Sequence, residues 1–278
     1  MKLTTLSLKH GATLSMTTKP KWLIVDVSSW AYRDLHAAGP GEACVRNFTR
    51  RLALCREELR PSRIVLCFDA EGSFRKDLAP TYKANRDESP VGLDELIERI
   101  RQHAADEEID CVSAPGFEAD DCMATLAGIA IDQGQRVVLA SRDKDLRQCL
   151  IGGGVNMLLD AQHGKHAADF EYFTAADLDE FYGLRPDQWI EYQMLVGDTS
   201  DNVPGCPGVG DKYAREILRK CSTLERFVSR SFEAAIPASK RNAVLRFLKN
   251  GDAEKMRRLV TLRHDAPLPG YWFEEVVA

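Results

Sequence analysis

Three short apolar runs constrain this chain more than any other feature. They are "WLIVDV" (22–27), "RIVLCFDAEG" (63–72) and "RVVLASRDKD" (136–145). Each carries β-branched residues and each brings aspartate to its end: Asp26, Asp69, and Asp143 with Asp145. Segments of helical period alternate with them, among them "RNFTRRLALCREEL" (46–59) and "DDCMATLAGIAIDQG" (120–134). Strands alternating with helices predict an α/β fold, with a mostly parallel central sheet flanked by helices. In such sheets ligands gather beyond the carboxyl ends of the strands. Three aspartate-bearing strand ends therefore nominate one rim as the functional edge.

The segment 74–104 divides in two. Its first half is basic and polar, with Pro80 and Pro90; its second half carries Leu93, Leu96, Ile97 and Ile100 at amphipathic-helix spacing. Turns at "GGGV" (152–155) and "AQHGK" (161–165) flank an expected strand at 155–159. From about residue 174 only helices are expected. Thr174 is placed to cap "AADLDEFYG" and Gly183 to stop it, with further helices near 186–196, 211–220, 238–249 and 252–262. The expected organisation is a flexible tail over 1–19, an α/β core over 20–180 and a helical region over 181–278. Lys9 and His10 interrupt the first twenty residues, which lack the apolar core of a signal peptide; Met16 is an alternative start.

Composition narrows the class. Of 278 residues, 44% are hydrophobic and 28% charged, the balance of a soluble globular protein, and no run has the length of a membrane span. Eight cysteines occur without CxxC or His-paired spacing, which argues against zinc and disulfides and for reduced thiols in the cytoplasm.

Acidic residues cluster where elements end: Asp26, Asp69, Glu118, Asp120, Asp121, Asp143, Asp145, Asp198 and Asp201. In "GFEADDCMATLA" (116–127) three of them open a helix. Converging carboxylates cannot all stay ionised without a counter-charge. Hard divalent cations supply it through oxygen ligands, and two such ions roughly 4 Å apart are a device for in-line phosphodiester cleavage. Plainer readings exist for each group. Acids in a first turn complement the helix dipole, Asp143 and Asp145 fit a solvated loop, and Asp26 fits an N-cap. Convergence is the more economical account of all four groups.

"GDTSDNVPGCPGVGDKYAREIL" (197–218) joins the last acidic pair to a Gly/Pro hairpin that opens a helix. Gly205, Gly208 and Gly210 permit tight turns, backbone N–H groups at the helix start favour an anion, and Lys212 adds a charge. Asp211, Lys212 and Tyr213 after Gly210 break the Walker pattern. A helix–hairpin–helix element gripping a DNA phosphate backbone fits; an ordinary helix-to-helix turn is the alternative.

With these motifs assembled, the chain resembles the 5′ nuclease family: the phage 5′–3′ exonucleases (flap endonucleases) and the N-terminal nuclease domain of bacterial DNA polymerase I. The matching stretches are "LIVDVSSWAYR", "CFDAEGSFRKDLAPTYKANRDE", "GFEADDCMATLA", "SRDKDLRQCL" and "GDTSDNVPGCPGVGDKYA", in family order over roughly residues 22 to 260. The resemblance implies two Mg²⁺ ions, replaceable by Mn²⁺. Glu118, Asp120, Asp143 and Asp145 would be core ligands, with Asp26 and Asp69 bound directly or through water, and Asp121, Asp198 and Asp201 completing the set. It implies a helical arch at about 74–104, where Lys83 would steady the scissile phosphate, Arg86 would draw in the 5′ strand and Tyr82 would stack on a base. The 197–218 element would be a helix–three-turn–helix holding duplex DNA, with K⁺ at backbone oxygens. Where related phage enzymes have lysine this chain has Gln193, a departure that implies weaker duplex contact there.

The implied function is a structure-specific 5′–3′ exonuclease and flap endonuclease of replication and repair. It would act on 5′ flaps, 5′ ends and RNA–DNA hybrids, as a monomer, with a replication polymerase as a partner and no membrane. The net charge of −5 is compatible: setting aside the nine site carboxylates leaves +4 for the remainder. A PIN-type ribonuclease and a non-enzymatic branched-DNA binder are the competing readings.

Overall fold

Strand β1 (Trp22–Asp26) lies centrally in a six-stranded sheet of order β3-β2-β1-β4-β5-β6. Its partners are β2 (Arg63–Cys67) and β4 (Val137–Ala140), both parallel to it. Outside these lie β3 (Asp110–Val112) and β5 (Val155–Asp160), also parallel, and β6 (Glu171–Phe173), antiparallel to β5. Chain order reverses on either side of β1, so a crevice opens beyond the carboxyl ends of β1, β2 and β4. This computed structural model describes residues 22–86, 88–160 and 170–272; the expected tail and the turn at 161–165 lie outside them.

Period-two alternation divides the sheet residues between two cores. Leu23, Val25, Leu66 and Val138 face helices α1 (Val27–Ala38), α2 (Glu42–Leu59) and α4 (Leu93–Asp106), meeting Trp30, Phe48, Leu52 and Ile100. Trp22, Ile24, Val65 and Leu139 face α5 (Ala119–Asp132). Met123 and Leu126 of α5 continue into a layer of α6 (Ala175–Tyr182), α7 (Trp189–Val196), α8 (Asp211–Cys221), α9 (Leu224–Arg230), α10 (Ala238–Lys249) and α11 (Asp252–Val260). Sandwiched between sheet and helices, α5 is apolar nearly all round.

The expected strands and most helices are present, and Thr174 and Gly183 bound α6, Gly183 in the left-handed conformation. Strands β3 and β6, of three residues each, and the seven-residue α9 had no readable signal. The segment 74–104 differs from the expected arch. Its amphipathic half, α4, is a core helix, because Leu93, Leu96, Ile100 and Ala104 are buried with α1 and α2. Its basic half comprises the short helix α3 (Phe74–Leu78) and turns over 80–86 laid against the crevice.

Candidate metal centre

Asp26 closes β1 and caps α1. Its carboxylate accepts from the Ser29 N–H at 2.9 Å and from the Ser141 hydroxyl, beyond β4, at 2.9 Å. The N-cap reading is therefore correct, and it is also what aims the group into the crevice. Asp69, beyond β2, accepts from Ser28 Oγ at 2.6 Å and from the Ala119 N–H at 2.9 Å, tying β2 to the start of α5. Asp143, beyond β4, accepts from the Asp145 N–H at 2.9 Å. Asp26, Asp69, Glu118, Asp120 and Asp143 together line a cleft of about 440 Å³. Lys83 and Arg86 stand on its wall and Tyr32 at its edge.

Crowding shows in the protonation of these groups. Burial pushes Asp26 up to about 7 against the Ser29 N–H, and Asp69 and Asp143 add to the rise. Asp120 is held well above the usual carboxylate range by burial, only partly opposed by Arg75, with Asp121 and Glu118 adding repulsion. Burial likewise raises Asp143. Asp145 is raised well above its ordinary value by burial, then by Asp143, Asp198 and Asp201.

A second acidic group adjoins the cleft. One oxygen each of Asp145, Asp198 and Asp201 lies within 4.8 Å of the others. Asp198 and Val203 exchange backbone hydrogen bonds of 2.7 Å, closing a tight turn that brings Asp198 and Asp201 to one side. Together the two groups use eight of the nine predicted carboxylates.

Four cations balance part of this charge, Arg75 among them at 3.6 Å from Glu118. Lys83 Nζ is 2.6 Å from Glu118, Arg86 2.6 Å from Asp201 and Lys144 Nζ 2.9 Å from Asp198. Burial alone would raise Glu118, but Lys83 and Arg75 outweigh it and the carboxyl lies below its usual value. Asp198 is lowered in the same way, by Ser200 and Lys144 against burial. Hydrogen bonds to backbone carbonyls hold the basic turn in place. The Lys83 N–H donates to the Asp201 carbonyl at 2.9 Å, Asn85 to the Thr199 carbonyl at 2.8 Å and Asn202 to the Thr81 carbonyl at 2.7 Å.

Against known proteins, the 5′–3′ exonuclease N-terminal resolvase-like domain matches residues 21–183, and the 5′–3′ exonuclease C-terminal SAM fold matches 184–275. The chain belongs to the 5′–3′ exonuclease family. DNA polymerase I of Bacillus subtilis is 32% identical over 261 residues, 91% of this chain and 29% of that protein. The chain thus spans under a third of the length of that curated relative. The bacteriophage T5 5′-exonuclease with bound divalent metal ions (zinc) shares the fold at a TM-score of 0.69 and 19% identity, over 86% of this chain and 89% of that one. The T5 flap endonuclease in a complex with DNA and metal ions does so at 0.65 and 20%, over 88% and 89%.

Within this 5′–3′ exonuclease-family fold, three sequence expectations are corrected. Asp121 does not face the cleft. It is fully buried, and its oxygens accept two bonds from Arg75 (2.7 and 2.8 Å), one from the Arg263 N–H (2.8 Å) and one from the Glu118 N–H (3.2 Å). Its capacity as a ligand is used internally, and the first-turn reading of this acid is the right one. Tyr82 is not free to stack on a base: it is buried, with its hydroxyl 3.1 Å from Glu118 and 3.2 Å from Asp201. The exposed aromatic ring at the cleft is Tyr32. Gln193 is no surface position. It is buried and donates to Asp145.

In the glycine-rich element Gly205 has a φ of +68°, and a Cβ there would lie 2.5 Å from the Gly197 nitrogen. At Gly208, φ +73°, a Cβ would meet Lys240 Nζ at 2.6 Å. Gly210 begins α8 with open space about it, and Lys212 is exposed in the first turn. Arg75, Lys144 and Ser141 went unnoticed in the sequence. Only Lys144 carried a local signal, lying between two site aspartates.

Proposed function

We propose that this chain is a divalent-cation-dependent 5′–3′ exonuclease and flap endonuclease. It hydrolyses phosphodiester bonds of DNA, and of RNA primers annealed to DNA. One observation carries the reading: two adjoining acidic groups, the β1/β2/β4 cleft and the Asp145–Asp198–Asp201 cluster, stand beside the same two cations, Lys83 and Arg86.

The donor set consists of carboxylate oxygens, without histidine or cysteine, which fits hard cations and supports two Mg²⁺ ions with Mn²⁺ as substitute. Asp26, Asp69, Glu118, Asp120 and Asp143 would hold one and Asp145, Asp198 and Asp201 the other. Bound there, such ions would activate water and stabilise the charge of in-line displacement. The chain's own residues do the rest. Lys83 and Arg86 line the cleft, where a phosphate would meet their charges. Lys83 steadies the scissile group and Arg86 draws in the 5′ strand. Gly205, expected at the DNA surface, is instead buried against Gly197 and shapes the turn; exposed Gly208, Gly210 at the start of α8 and the Lys212 charge form an arrangement suited to a duplex phosphate and to K⁺ at backbone oxygens.

The T5 flap endonuclease complex holds DNA and metal ions, which supports a DNA substrate with a 5′ flap or 5′ end. Chemistry at phosphate extends this to RNA–DNA hybrids. The DNA polymerase I relatives support work beside a replication polymerase. Eight free cysteines support a reducing cytoplasm, and we expect a monomer there.

The test is a 3′-labelled 5′-flap DNA incubated with Mg²⁺ or EDTA, beside Asp145→Ala. Mg²⁺-dependent products near the flap junction, absent with the variant, are expected. Tight flap binding without cleavage in Mg²⁺ or Mn²⁺ would leave a structure-specific binder. Cleavage of single-stranded RNA alone would leave a ribonuclease.

A further inference from the structure

Gln193 lies on α7, one turn before the loop that carries Asp198 and Asp201. That loop is rigidly joined to α7. The Gly197 N–H donates to the Gln193 carbonyl at 2.7 Å, the Cys206 N–H donates to the Leu195 carbonyl at 2.8 Å, and the Gly197 and Gly205 backbones abut. Gln193 and the turn that carries Asp198 and Asp201 therefore share one hydrogen-bonded backbone framework. Asp145 belongs to the other layer, in the 3₁₀ turn after β4. The Gln193 side chain spans the seam, donating through Nε2 to Asp145 Oδ1.

The other end of the same amide is unaccounted for. Gln193 is only 2% exposed, and its Oε1 is buried without a hydrogen-bond partner. Leaving a buried carbonyl oxygen unsatisfied is costly, so such an atom beside an acidic cluster needs an explanation. Lys144 and Arg86 compensate Asp198 and Asp201, whereas the partner at Asp145 is a neutral amide. Around Asp145 the cluster offers carboxylate oxygens and a spare neutral oxygen, the inventory of a divalent-cation site.

We infer that Gln193 is part of the second cation centre: its amide sets Asp145 against Asp198 and Asp201, and its Oε1 is a neutral oxygen donor to the cation. This rests on the proposed nuclease reading, in which that cluster holds a cation. It assigns metal affinity to a residue outside the nine carboxylates.

The test is Mn²⁺ titration of the full chain by electron paramagnetic resonance, without DNA, for wild type, Gln193→Ala, Gln193→Glu and Asp198→Asn. Wild type is expected to bind two ions, one of them lost in Asp198→Asn. In Gln193→Ala that same ion should bind about 10- to 100-fold more weakly, the usual scale for a residue that orients metal ligands, with the other unchanged. Gln193→Glu, which keeps size and an oxygen donor but loses the N–H to Asp145, should bind it more tightly than Gln193→Ala. Circular dichroism shows whether each variant is folded; a Gln193→Ala chain that unfolds leaves Gln193→Glu to decide, where loss of that ion as complete as in Asp198→Asn refutes the inference. Equal affinities in folded wild type and Gln193→Ala, or parallel loss of both ions, also refute it while the nuclease reading stands. Wild type binding no ion that Asp198→Asn removes would overturn the two-cation reading, and the inference with it.

Discussion

The two acidic groups are built differently. The cleft of Asp26, Asp69, Glu118, Asp120 and Asp143 is made by one sheet and the helix packed on it. Its aspartates follow strand ends whose register is set by parallel pairing, and backbone N–H groups and serines hold their carboxylates. The Asp145–Asp198–Asp201 group joins two layers. One member follows β4, two follow α7, and side-chain cations and an amide hold them. Topology alone assembles the first; docking of the helical layer assembles the second. The same carboxylate chemistry thus depends on local geometry in one place and on long-range packing in the other.

The strongest way to break this comparison is through the residue that ties the layers together. Arg75 is buried, makes a two-bond pair with Asp121 at the start of α5 and donates to the Leu259 carbonyl of α11 at 2.9 Å. Removing one member of such a pair strands a buried charge, at about 3–5 kcal/mol. Arg75→Met is expected to lose that much stability in urea denaturation. Mn²⁺ binding should suffer first at the Asp145–Asp198–Asp201 group. Unchanged stability would show that the layers do not depend on this pair.

A smaller effect comes from pH. A carboxyl whose folded pKa is raised takes up a proton on folding, so its contribution to stability is greatest at low pH and is lost as pH climbs through the folded value. For Asp26 that window runs from its ordinary 3.8 up to about 7, and Asp120, Asp143 and Asp145 act in the same direction. Glu118 and Asp198, both lowered, act oppositely and lose their contribution in acid. The cation-free protein should therefore melt at a lower temperature at pH 8 than at pH 5.5, as followed by circular dichroism. Saturating Mg²⁺ should abolish most of the difference. A melting temperature that rises with pH in EDTA would contradict the crowding described for the cleft.

The smallest expected effect sharpens the contrast. Lys144 pairs with Asp198 with 39% of its side chain exposed, where ion pairs are worth about 0.2–1 kcal/mol. Lys144→Ala should raise Mn²⁺ affinity at the second group by about two- to fivefold and leave the cleft unchanged. A gain at both would mean that the two groups share one electrostatic field.

The sequence by itself determined the α/β class, the buried strands and the identity of nearly every carboxylate at the site. These are local properties: a strand's apolar run and the acid that ends it are adjacent in the chain. The caps at Thr174 and Gly183 were readable for the same reason. Roles set by distant partners were not. Asp121 looked like its neighbour Asp120, and it became a structural anchor because Arg75, 46 residues away, and the Arg263 backbone, 142 residues away, occupy its oxygens. Tyr82 left the solvent because Glu118 and Asp201 meet above it, and Gln193 left the duplex surface because α7 packs against the turn after β4. The amphipathic pattern of 93–104 announced a buried face without saying whether core or substrate would cover it. Tertiary structure decided those points, because hydrogen bonds and burial depend on which groups meet in space, and that information is spread over residues far apart in the chain.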